Sequence, residues 1–191
     1  MEEVKDVLAL FDTVDKWRSY IELANMKTDL LNELKNRLIT ELKKIAEMHL
    51  DSAWTLYCDY NSICIKPSVT PLIEIIIQWH WWNTPWCRRG VCLWVDAKNT
   101  DSMSVFSRIR EKKSLLPLQE YVENIQNHSW FPFVKKIPSK VFDVRDEIVS
   151  IDECLFKAKD KAEQLAYDLW HEVFEPFSSK EIAHIFEEII K

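Results

Sequence analysis

The sequence predicts an α+β fold: a small antiparallel sheet of three to four strands, flanked by amphipathic helices at both ends of the chain. Three observations carry this. Apolar residues recur at helical spacing in the first and last parts of the chain, whereas between them they alternate with period two. Pro and turn-forming clusters punctuate that middle stretch. The 191 residues, 47% hydrophobic and 29% charged, suit one domain with a sizeable core rather than a disordered chain.

From Glu2 to about Ala24, residues Val4, Val7, Leu8, Phe11, Val14, Trp17 and Ile21 form a helical stripe without Pro or Gly. The polar stretch Asn25–Thr28 predicts a break. A second helix over roughly Lys27–Leu50 then turns Leu31, Leu34, Leu38, Leu42, Ile45 and His49 to one side, so residues 1–50 read as an antiparallel helical pair. Residues 59–145 read as a β meander with inserted helices. Its first strand is Asp59–Lys66, ended by Pro67, and Pro71 opens the next.

The stretch Pro71–Lys98 organises the rest. Alternation places Ile73, Ile75, Ile77, Trp79 and Trp81 on a core face, with Leu72, Glu74, Ile76, Gln78, His80 and Trp82 opposite. After a hairpin connection at Asn83–Arg89, Val91, Leu93, Val95 and Ala97 form the apolar face; Cys92, Trp94, Asp96 and Lys98 form the mixed one. If residue i pairs with about 172 − i, Glu74 faces Lys98 as a cross-strand ion pair. Next come a helix over Met103–Lys112 capped by Asp101 or Ser102, and another over Leu118–Asn127 with Pro117 at its first turn. An edge strand follows around S-W-F-P-F-V, then an extended segment at Val141–Arg145. In residues 150–191, the boxes Ser150-x-x-Glu153 and Ser178-x-x-Glu181 start two helices separated by Pro176.

Composition excludes several classes. One glycine in the whole chain rules out phosphate-cradling loops and Rossmann turns. The five cysteines are odd in number and include no C-x-x-C, the N-terminus is acidic without an apolar signal region, and no run is long enough to span a membrane. Free thiols in a reducing cytosol are therefore expected. The five histidines lack metal-ligand spacing. The net charge of −6 divides unevenly: ten Lys/Arg against five Asp/Glu between Arg88 and Lys140, fifteen against twenty-six elsewhere. Arg88, Arg89, Arg108, Arg110, Lys112 and Lys113 form the basic segment able to face phosphates. Five of the nine tryptophans fall between Trp79 and Trp94, a density that suits a recognition surface as well as a core. The pairs His80/Cys92 and Asp168/Glu172 with His171 read as structural, since no oxyanion-hole signal accompanies them.

Glu74 on one strand and Asp96-Ala97-Lys98 on the next supply two hard oxygen ligands and one ammonium on a common face. In the order helix, three strands, helix, strand, this resembles the core of the PD-(D/E)xK nuclease superfamily. The resemblance implies Mg²⁺ held by Glu74 and Asp96, Lys98 positioning water, and Glu41 as an additional carboxylate. A second resemblance spans Leu30–Val173, on I-I-I-Q-W-H-W-W, R-R-G-V-C-L-W-V-D and S-W-F-P-F-V-K-K-I-P. These are similar to the region C-terminal to the catalytic core in PD-(D/E)xK-type proteins of bacteria and phages, which implies recognition without catalysis.

Two functions are therefore expected. One is a non-enzymatic, cytoplasmic interaction protein without a cofactor. In composition it looks like phage counter-defence proteins, anti-CRISPR inhibitors among them, acting as an inhibitor or adaptor of a nucleic-acid-handling machine. It would bind a protein or ribonucleoprotein through Trp82, Trp86, Arg88, Arg89, Trp94, Arg108 and Arg110, with weak or no affinity for free nucleic acid and none for membranes. The alternative is a Mg²⁺-dependent nuclease built on Glu74, Asp96 and Lys98.

Overall fold

The structure, a computed structural model, describes residues 12–58, 62–70, 72–78, 90–96, 101–123, 131–143 and 151–191. Among them, five α-helices accompany a six-stranded antiparallel sheet, so the fold is α+β as predicted, with more strands than expected.

Helix α1 (Val14–His49) runs unbroken for 36 residues, which corrects the predicted helical pair. Asn25 and Thr28 each lower helix propensity by about 0.7 kcal/mol or less. With no Pro or Gly nearby, that is too little to break a helix anchored by buried Leu38, Leu42, Ile45 and Ala46. Thr13 caps the start by accepting from the Lys16 N–H at 3.3 Å. Leu31 and Leu34 pack against the core as expected, but His49 is exposed. The predicted helical stripe over residues 2–11 lies outside the described residues.

The strands are β1 (Trp54–Cys58), β2 (Ser62–Pro67), β3 (Ile73–Gln78), β4 (Gly90–Val95), β5 (Val122–Glu123) and β6 (Phe133–Lys136), in spatial order β1-β2-β3-β4-β6-β5. β3 and β4 pair Ile73 with Val95, Glu74 with Trp94 and Ile75 with Leu93. This corrects the expected register, in which Glu74 faced Lys98. The two registers differ by an even number of residues, so each leaves every side chain on its own face, and alternation alone does not distinguish them.

The two sheet faces differ in what they bury. Ile63, Ile65, Ile73, Ile75, Ile77 and Leu93 join the helices in one large core. It takes Val105 and Ile109 from α2 (Ser102–Glu111), Leu155 from α3 (Ile151–Phe156), Leu165 and Leu169 from α4 (Ala158–Leu169), and Phe186 and Ile189 from α5 (Lys180–Ile190). The other face carries a smaller cluster: Cys64, Ile76, Cys92 and Phe131, with Trp94 and Val134 partly buried.

Other segments depart from the periodicity reading. The helix expected from Leu118 is, in its described part, a turn leading into β5, with Leu118 and Tyr121 buried in the core. β6 pairs with β5 as well as β4 and so is not an edge, Pro132 preceding its first residue. Ser139–Phe142 forms a 3₁₀ turn rather than an extended segment. The last helix is capped by Ser179, one residue beyond the expected Ser178; its hydroxyl accepts from Ile182 N–H at 3.3 Å.

Candidate functional site

The outer face of the sheet is where the predicted site residues were expected to gather. Strand pairing sets Tyr57, Cys64, Ile76, Cys92 and Val134 side by side across β1, β2, β3, β4 and β6. Beside this row lie Glu74 and Trp94, paired across β3 and β4. The Lys66 ammonium sits 3.8 Å from the Glu74 carboxylate and 5.0 Å from the centre of the Tyr57 ring. Glu74 thus has its cation on β2. Asp96 follows β4 on the same face, its backbone N–H donating to Leu72 O at 2.9 Å. Glu41 belongs to α1, on the core side of the sheet, and pairs with Lys44 at 2.7 Å. It cannot join Glu74 across the sheet. Lys98, His80, Trp79, Trp81, Trp82, Trp86, Arg88 and Arg89 lie outside the described residues.

The described basic residues of the middle segment are engaged by the fold itself. Arg108 donates to Ile189 O at 2.9 Å, at the C-terminal end of α5. Arg110 grips Glu123 with two bonds of 3.1 and 3.3 Å and lies over the Phe106 ring at 4.5 Å. Lys112 pairs with Glu188 at 2.6 Å and holds that carboxyl below its usual range. Lys113 lies over Phe133.

A cleft of about 320 Å³, which sequence reasoning missed, opens between Pro117 and Pro176. Lys135 projects into it from β6 and meets Glu120 at 2.8 Å and Glu172 at 2.6 Å. Burial opposes the lysine's charge, but its hydrogen bonds to both carboxylates prevail and hold it protonated above its ordinary range. The Glu120 carboxyl is lowered in turn by that bond. Tyr121, also lining the cleft, is pushed up by burial. On the outer face, burial and the nearby Glu74 carboxylate push the Cys64 thiol up. A nucleophile or general base at neutral pH needs a pKa drawn towards 7. These four groups all move away from it. The helix group read as a solvated face is also employed: Asp168 accepts from Lys157 and Gln164, Glu172 holds Lys135, and His171 contacts Glu175. Among the described residues, no three His, Cys, Asp or Glu side chains converge as a metal site, and Cys58, Cys64, Cys92 and Cys154 form no disulfide. No described helix is long and apolar enough to cross a membrane.

The largest unabsorbed feature is the first half of α1. Every residue from 12 to 30 is exposed, including Val14 (66%), Trp17 (43%), Ile21 (40%), Leu23 (62%), Met26 (51%) and Leu30 (49%). At 1.5 Å per residue, this arm extends about 25 Å. It was legible as an amphipathic stripe; that the core stops covering it near Leu31 was not. Comparison with protein-family models, curated proteins and solved structures finds no match for this chain.

Proposed function

We propose that this chain is a non-enzymatic interaction protein of the inhibitor or adaptor kind, with a protein or ribonucleoprotein as its partner in the cytoplasm. The observation that carries the reading is the α1 arm: seven large hydrophobic side chains, Tyr20 among them, exposed on one continuous helix segment. Two further features support it. Arg110 and Lys112 are paired with the Glu123 and Glu188 carboxylates, which reduces the charge available to a phosphate backbone. Burial raises the Cys64 and Tyr121 pKa values, and hydrogen bonds to Glu120 and Glu172 raise that of Lys135, away from the range of a nucleophile or general base at neutral pH. By sequence, Trp82, Trp86, Arg88, Arg89 and Trp94 are the second set of candidate contact residues. A counter-defence role such as anti-CRISPR inhibition is one setting that fits a small partner-binding protein.

The test is retention on the immobilised protein, from nuclease-treated extract, together with direct binding to duplex DNA and single-stranded RNA at about 50 and about 200 mM salt. The expected result is a discrete protein set retained at both salts, with weak or absent binding to either nucleic acid. Leu23→Asp with Met26→Asp, or Trp86→Ala with Arg88→Ala and Arg89→Ala, should reduce retention while leaving the thermal midpoint nearly unchanged. Tight nucleic-acid binding that collapses with salt and is lost on neutralising those arginines overturns the reading.

A further inference from the structure

The exposed half of α1 carries two apolar rows. Val14, Trp17, Ile21, Ala24 and Thr28 follow alternating steps of three and four, in a phase that runs on through the half-buried Leu31 and Lys35 to the buried Leu38, Leu42 and Ile45. Leu23, Met26 and Leu30 lie outside that row. We propose that the first row packs against the same row of a second copy, the two helices antiparallel about a twofold axis between Ile21 and Ala24. This deepens the interaction-protein reading and rests on it, assigning one row to self-association and leaving the other for the partner.

Side-chain size and charge choose this occupant. In the antiparallel arrangement Trp17 meets the partner's Thr28, Ile21 meets the partner's Ala24, and Val14 meets the partner's Leu31. A large side chain meets a smaller one in the central layers, as knobs-into-holes packing requires. Parallel pairing instead stacks Trp17 on Trp17 and Thr28 on Thr28. At the borders, Tyr20 lies towards the partner's Lys27, a cation beside an aromatic ring, and Arg18 towards the partner's Asn25. No like charges meet, because Asp15, Glu22 and Asp29 occupy the far side of the helix. A helix of this length gains most of its stability from packing, which a twofold-related copy supplies.

Sedimentation equilibrium on the full chain tests this. A monomer–dimer equilibrium is expected, weakened at least about thirtyfold by Trp17→Asp or Ile21→Glu, which is the range of interface hot spots. Far-side Glu22→Lys should leave it unchanged. These positions are exposed, so circular dichroism should show the body intact in each variant. A photo-crosslinking residue at position 17, in mixed isotope-labelled and unlabelled copies, should link to the partner's residues 24–31. A monomer at about 100 μM, or a dimer indifferent to Ile21→Glu, overturns the proposal. Links to the partner's residues 14–21 overturn the antiparallel arrangement. The two readings fail separately: a monomer that still retains protein removes self-pairing alone, whereas a dimer that retains none removes the partner-binding function alone.

Discussion

Lys157 is the one buried charged side chain among the described residues. Its ammonium donates to Val141 O and Asp168 Oδ2, both at 2.7 Å, and lies 3.3 Å from Asp143. Asp143 has φ 57°, a left-handed conformation that Asp tolerates better than most residues. Lys157 thus ties the turn before α3 to α4. Lys157→Met should destabilise by about 1–3 kcal/mol in urea denaturation, because it removes the donor to the Val141 carbonyl and to one Asp168 oxygen; unchanged stability would show the network to be dispensable. At Glu74 and Asp96 the expectation concerns chemistry. Glu74 already has Lys66 beside it, so purified protein should not cleave DNA or RNA with Mg²⁺ or Mn²⁺. Divalent-dependent cleavage abolished by Asp96→Ala would instead establish the nuclease alternative.

At the scale of elements, α1 divides into two halves of different stability. Leu38, Leu42, Ile45 and Ala46 are buried, whereas residues 12–30 are exposed throughout. Local opening costs least where few apolar contacts are broken. Amide hydrogen exchange at low protein concentration should therefore be fast in the arm and slow around Leu42, and the arm should gain protection as concentration rises. Uniform protection along α1 at every concentration would contradict both parts. In the sheet, Ile75 is fully buried between Ile65 and Leu93, and Ile75→Ala should cost about 2–5 kcal/mol. Tyr57→Ala on the exposed end of the outer row should cost much less by the same measurement.

For the whole molecule, surface ion pairs set the response to acid. Hydrogen bonds from Lys135, Lys161 and Lys112 lower the carboxyls of Glu120, Asp143 and Glu188 respectively. A carboxyl lower in the folded state binds fewer protons there than in the unfolded chain, so stability rises with pH across that range. Their contribution is present above the ordinary carboxylate range and lost as pH falls through the depressed folded values. The urea midpoint should be level from pH 7 to about 5 and decline below about 4.5. The three carboxylates are close to solvent, so the decline they cause should be small and should shrink in salt. A midpoint that rises on acidification would mean that these pairs do not stabilise the fold.

The sequence by itself determined the fold class and the facing of most side chains. Period-two alternation assigned Ile73, Ile75, Ile77, Leu93 and Val95 to the core because a strand offers only two faces. Spacing did the same for Leu38, Leu42 and Ile45. The tertiary structure alone decided relations between elements. The β3–β4 register, and with it Trp94 rather than Lys98 opposite Glu74, was hidden because an even slip preserves every face. The cleft around Lys135 joins residues from β6, the turn before β5 and the segment 171–176 that follows α4, which are far apart in the chain. The same limit applies to the candidate contact surface. Periodicity marks an apolar stripe on α1 without recording where the core beneath it ends, since that is set by the reach of other elements.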